Sequence, residues 1–173
     1  AACFRGGPGF KYTRLGNPTI EALEQQLSSR HYPVIQMDSH GQHDAEHPEE
    51  PWLQLASKQS ADGRLTAERF QHLNLRGCGT LIIGACESGM LQRVGRDERL
   101  GFVRSAYGAG VPAIVAARWV AEDQVTAAML ARFRHYLRYL PRDRALQQAQ
   151  LAILSGACSE IAGPDLSLPN PTH

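Results

Sequence analysis

Ile20, Leu23 and Leu27 recur at three- and four-residue steps behind Asn17 and Thr19, either of which can accept from the free amides of a first turn. That pattern predicts a helix to about Arg30, and residues 33–38 follow as a short strand. Residues 40–51 are rich in His, Asp, Glu and Pro and carry no apolar period, which reads as a loop, with a brief strand at 52–56. Thr66 can cap a short helix carrying Phe70 and Leu73. Residues 80–85 form a near-continuous apolar run of the kind found in a central parallel strand, and 112–117 read as another buried strand. Between them lie a polar loop at 87–98 and a helix over about 99–107, ended near Gly108 and Gly110.

Val125, Met129, Phe133, Tyr136 and Leu137 mark one face of a long amphipathic helix over about 122–140. Leu146, Ala149 and Ile153 mark a last one over about 143–154, stopped by Gly156, and 157–173 reads as an irregular tail broken by Pro and Gly. Strands that alternate with helices imply crossover connections, hence a mainly parallel sheet with helices on both faces, an α/β fold. At 173 residues the expectation is a single domain.

Composition narrows the function classes. With 43% hydrophobic and 20% charged residues and a formal net charge of +1, the chain reads as a soluble globular protein with no electrostatic draw toward nucleic acid. Arg132, Arg134, Arg138, Arg142 and Arg144 read as a solvated helix face. No apolar run approaches the ~20 residues of a membrane-spanning helix, so no membrane partner is expected. The chain opens at Ala1 without an initiator Met, which suggests a fragment of a larger parent. Four cysteines without a CxxC pair favour a reducing compartment, the cytoplasm.

Ligands of open parallel sheets gather beyond the C-terminal strand ends, and two reactive side chains fall there, His40 after the strand at 33–38 and Cys86 after the run at 80–85. If those strands are neighbours, the imidazole can take the thiol proton and acyl transfer is the natural reaction. The amides of Gly41 and Cys86 can then form an oxyanion hole. The alternative is a buried, inert Cys86 and a loop histidine. His40, His43 and His47 with Asp44 and Glu46 match no strong zinc signature and have no helical period to align them, so neither a metal nor another cofactor is expected. Cys78 and Cys86 do not suit a redox pair, because eight extended residues span about 26 Å, against a limit of ~7 Å between disulfide Cα atoms.

At these residues the chain resembles the CHAT family of caspase-like domains, related to caspases, separases and gingipains. The matching blocks are Asp38-Ser39-His40-Gly41 and Ala85-Cys86-Glu87-Ser88-Gly89, then residues 110–116, Arg118-Trp119 with Asp123, and Ala145 with Ala149-Gln150. The resemblance covers about residues 18–154 and implies a three-layer caspase-like fold and a cysteine endopeptidase with Cys86 as nucleophile and His40 as its base. It also implies a protein or peptide substrate and regulation by other modules of the parent or by a partner protein. Two departures stand out. Relatives usually continue past the last helix into a Trp-containing strand, whereas this chain ends at Asn170-Pro171-Thr172-His173, and relatives often carry more structure before Asn17.

Candidate substrate-binding residues are Asp38, Arg118, Trp119 and Asp123. Asp38 shares the face of His40 if the strand stays regular, where it can favour a basic substrate residue or orient the imidazole. Arg118 would favour an acidic one, and the balance leans to basic. Capping for Asp38 and Asp123 and core packing for Trp119 are the plainer alternatives. Arg93, Arg96 and Arg99 in the loop after Cys86 suit self-processing under basic specificity. The rival from another class is a latent or inactive caspase-like interaction or scaffold module.

Overall fold

Thr19 Oγ1 accepts from the amide of Ala22 at 3.3 Å and starts helix α1 (Ile20–Ser29), whose Ile20, Leu23 and Leu27 are buried as the pattern predicts. The computed structural model describes residues 13–42, 52–57, 62–84, 101–116 and 123–156. Strand β1 (Val34–Met37) follows α1, and after it come β2 (His40–Gln42), β3 (Trp52–Gln54), β4 (Arg64–Thr66) and α2 (Ala67–Gln71). Then come β5 (Thr80–Ile83), α3 (Gly101–Gly108), β6 (Ile114–Ala116), α4 (Asp123–Tyr136) and α5 (Arg142–Leu154). These elements fall into two units, one within Cys3–Ala121 and one within Glu122–His173.

In the first unit β1, β5 and β6 form a parallel sheet in that order, so β5 is the central strand, as its apolar run implies. Leu81 and Ile83 point into a core shared with α1, α2 and α3 through Leu23, Leu27, Phe70, Phe102 and Ala106. Phe70 and Phe102 meet there edge to face, with ring centroids 5.6 Å apart. Thr80 and Ile82 point the other way along the same strand and are also buried, so both faces of β5 are covered. The mixed α/β architecture with a parallel sheet is therefore present. The strand at 112–117 is less buried than its composition implies: Ile114 and Val115 are half-buried and Ala116 is exposed, because β6 has a partner only in β5 among the described residues.

A second sheet, β2-β3-β4, is antiparallel. It corrects the reading of residues 40–51 as all loop, since His40 is the first residue of β2 and pairs with Gln54. The apolar residues of this sheet sit on β3 and β4, where Trp52, Leu53 and Leu65 are buried, so β2 has no hydrophobic signature of its own. Strand β4 was hidden for the same reason, with Leu65 its one apolar residue. The cap on Thr66 is present, accepting from the amide of Arg69 at 3.3 Å, but α2 ends at Gln71 and Leu73 lies beyond it.

The second unit is an α4–α5 pair. Phe133 is buried in α4 as expected, but Val125 is exposed and Leu130 is buried instead. In α5 Ala145, Ala149 and Ala152 are buried, while Leu146 and Ile153 are only half-buried, because small side chains allow close helix approach and leave larger ones at the margin. The arginine group is not one solvated face: Arg142 and Arg144 are exposed, Arg134 and Arg138 are half-buried, and Arg132 is 4% exposed. No described helix is long and apolar enough to cross a membrane.

Candidate active site

The parallel sheet defines the edge at which chemistry should collect. Met37 of β1 lies opposite Ile83 of β5, and Ile83 lies opposite Ala116 of β6, so the three strands end together. The amide of Gly84 donates to the carbonyl of Met37 at 2.9 Å, which carries the β1–β5 ladder one residue past the strands. The strands that precede His40 and Cys86 in sequence, β1 and β5, are thus neighbours. His40 is the third residue beyond Met37, and Cys86 is the third beyond Ile83 in sequence. Cys86, Arg118 and Trp119 lie outside the described residues, as do His43, Asp44, Glu46, His47, Arg93, Arg96 and Arg99.

Between Met37 and His40 the chain leaves one sheet and enters the other, so His40 is held by β3 rather than carried on an extension of β1. This corrects the regular-strand premise behind the shared face of Asp38 and His40. Ser39 fastens the crossing: its hydroxyl donates to the carbonyl of Gln54, the residue paired with His40. Gln54 is fixed in turn, accepting from Trp52 Nε1 at 3.0 Å and donating to the carbonyls of Leu55 at 2.9 Å and Asp62 at 3.3 Å. The guanidinium of Arg64 lies 4.3 Å from the centre of the Trp52 ring, closing the outer side of this support. The result is an exposed imidazole on an anchored backbone, with Gly41 half-buried beside it.

Asp38 is exposed, and its two carboxylate oxygens accept from Gln36 Nε2 at 2.7 and 2.6 Å. It makes no hydrogen bond to His40 among the described residues. Asp123 is the first residue of α4 and belongs to the second unit. Residue-type reasoning passed over Gln36, Ser39 and Gln54. For Gln36 a signal was present, since it is the polar position in the strand Val-Ile-Gln-Met and lies two residues before Asp38.

Cys78 sits at the opposite, N-terminal end of β5, buried, and burial pushes its thiol above the ordinary range while backbone hydrogen bonds at Thr80 and Ile35 work against that shift. A thiol in that state is a poor nucleophile near neutral pH, which leaves Cys78 a packing residue.

Fold and edge together define an α/β protein whose candidate reactive positions follow, in sequence, the C-terminal ends of adjacent parallel strands. The model of the CHAT domain matches residues 2–170, and the chain belongs to that caspase-like, protease-related family. No curated protein matches it.

Proposed function

We propose that the protein is a cysteine endopeptidase that cleaves peptide bonds through Cys86 and His40. The observation that carries this reading is the Met37–Ile83 register, because it starts the two three-residue excursions to His40 and Cys86 from adjacent points. Neighbouring strands are about 4.8 Å apart, and three residues reach at most about 11 Å, so chain connectivity permits the two side chains to meet. Membership of a protease-related family and an exposed, backbone-anchored imidazole support the same reading.

In the proposed reaction the imidazole holds the thiol proton, and the sulfur attacks the scissile carbonyl carbon. The amides of Gly41 and Cys86 donate to the developing oxyanion, and His40 passes the proton to the leaving amine. Water then cleaves the thioester with His40 as base, which restores the thiol. Asp38 favours cleavage after a basic residue, with Arg118, Trp119 and Asp123 as further substrate-binding candidates, and other parts of the parent protein regulate the site. A reducing compartment such as the cytoplasm suits a thiolate nucleophile.

Alkylation of Cys3, Cys78, Cys86 and Cys158, followed by mass spectrometry across pH in the wild type and His40→Ala, tests the proposal without a known substrate. Cys86 is expected to react fastest below neutral pH and to lose that lead in the variant. A Cys86 no faster than Cys3 or Cys158 would argue for a latent site that needs a partner, or for the non-catalytic interaction module.

A further inference from the structure

Gln36 alternates along β1 with Ile35 and Met37, which pack against the core of the first unit, so Gln36 lies on the other face of the parallel sheet. Its amide reaches forward past the strand end and grips both oxygens of Asp38, at 2.7 and 2.6 Å. Two features make this grip unlike an ordinary surface contact. First, the donor is neutral: an arginine or lysine in its place would cancel the charge of the carboxylate, whereas an amide fixes its direction and leaves the charge intact. Second, Asp38 has no ion pair among the described residues and is exposed, so that charge is presented to solvent at the sheet edge. A carboxylate has about four acceptor sites. The single amide nitrogen sits between the two oxygens and takes their inner sites, which leaves an outer site on each oxygen for a charge-assisted N–H of a guanidinium or ammonium group.

We infer that Gln36 is a positioning residue that holds Asp38 as a preoriented receptor for a guanidinium or ammonium group, two residues before the proposed base. The inference rests on the proposed reading for its biological meaning, since the group received would be a basic side chain of the substrate. The gain from Gln36 comes from order. A free aspartate on an exposed turn must give up rotamer freedom to bind a cation, whereas one already held at both oxygens gives up less.

The test is an amide NMR titration of the intact chain with agmatine as the guanidinium probe, in the wild type, Asp38→Asn and Gln36→Met. Methionine keeps the length of glutamine, and a dispersed spectrum establishes that each variant is folded. Saturable shifts around His40 and Gly84 are expected in the wild type and should be absent in Asp38→Asn. Gln36→Met should bind about three- to tenfold more weakly, the ordering cost of one side chain. Where the enzyme is active, the same variant should raise KM for arginine-containing peptides and leave kcat nearly unchanged.

No saturable shift in the wild type overturns the receptor, and equal affinity in Gln36→Met overturns the positioning role. Neither readout needs Cys86. Agmatine binding beside an unreactive Cys86 would therefore sink the protease reading and leave this inference standing, and the reverse pattern would do the opposite.

Discussion

Ser39 does more for the candidate base than its place between Asp38 and His40 suggests. Its hydroxyl donates to the carbonyl of Gln54 at the point where the chain changes sheets, and the His40 backbone pairs with the same residue. Ser39→Ala should cost about 1 kcal/mol of stability, the net worth of one such bond. It should also reduce the low-pH alkylation lead of Cys86, while Ser39→Thr, which keeps the hydroxyl, restores it. An unchanged alkylation profile in Ser39→Ala would separate the anchor from the chemistry. Cys78 gives a second prediction, with its sign set by burial. Burial holds its folded pKa above that of an exposed thiol, about 8.5, so as pH rises through that value the unfolded thiol ionises first and the unfolded state binds fewer protons than the native one. Stability from this group is complete below that value and falls above it, by at most about 1.4 kcal/mol per pH unit. Urea denaturation between pH 8 and 10 should show the fall, and Cys78→Ala should lessen it.

At the scale of elements, the support of His40 depends on the turn between β3 and β4. Gly63 closes that turn at φ +65°, with its carbonyl accepting from the amide of Leu55 at 2.9 Å. A Cβ at Gly63 would stand 2.5 Å from the Leu55 carbonyl oxygen, a backbone atom that cannot swing aside. Gly63→Ala therefore combines left-handed backbone strain with a clash and should cost about 1–3 kcal/mol. Faster hydrogen exchange of the β2-β3-β4 amides, with β5 still protected, would place the damage in this sheet. The same elements show what periodicity conveys and what it omits. Helix α1 and strand β5 were legible because their own side chains carry the apolar pattern: Ile20, Leu23 and Leu27 on one stripe, and Leu81, Ile82 and Ile83 in one run. Strand β2 was not, because His40, Gly41 and Gln42 are held by pairing with Trp52, Leu53 and Gln54, a dozen residues away. The strands β1 and β5 and their shared edge could therefore be read from residue type, whereas the route by which the backbone reaches His40 could not. Asp38 illustrates the gap, since a regular strand would have aligned it with both Gln36 and His40, and only the contact with Gln36 is present among the described residues.

For the whole molecule, the decisive property of the parallel sheet is that its central strand is covered twice. Alternation sends Leu81 and Ile83 to the face shared with α1, α2 and α3, and it sends Ile82, which has no exposed surface, to the opposite face. An open two-layer sheet would tolerate a small residue at 82, whereas a three-layer arrangement would not. Leu81→Ala and Ile82→Ala should accordingly destabilise by similar amounts, about 2–5 kcal/mol each, since each removes a buried side chain and leaves a cavity. The two losses need not add, because the residues are adjacent on one strand and share the backbone that would relax around either cavity. Urea denaturation of the two single variants decides the matter. Equal losses require material packed on both faces of β5, while a cost below about 0.5 kcal/mol for Ile82→Ala, the level of an ordinary surface change, would mean that the second face is open in solution. That outcome would leave the register of Met37 and Ile83 in place but remove the rigid backing of the strand end that precedes Cys86, and with it the preorganisation that the proposed dyad requires.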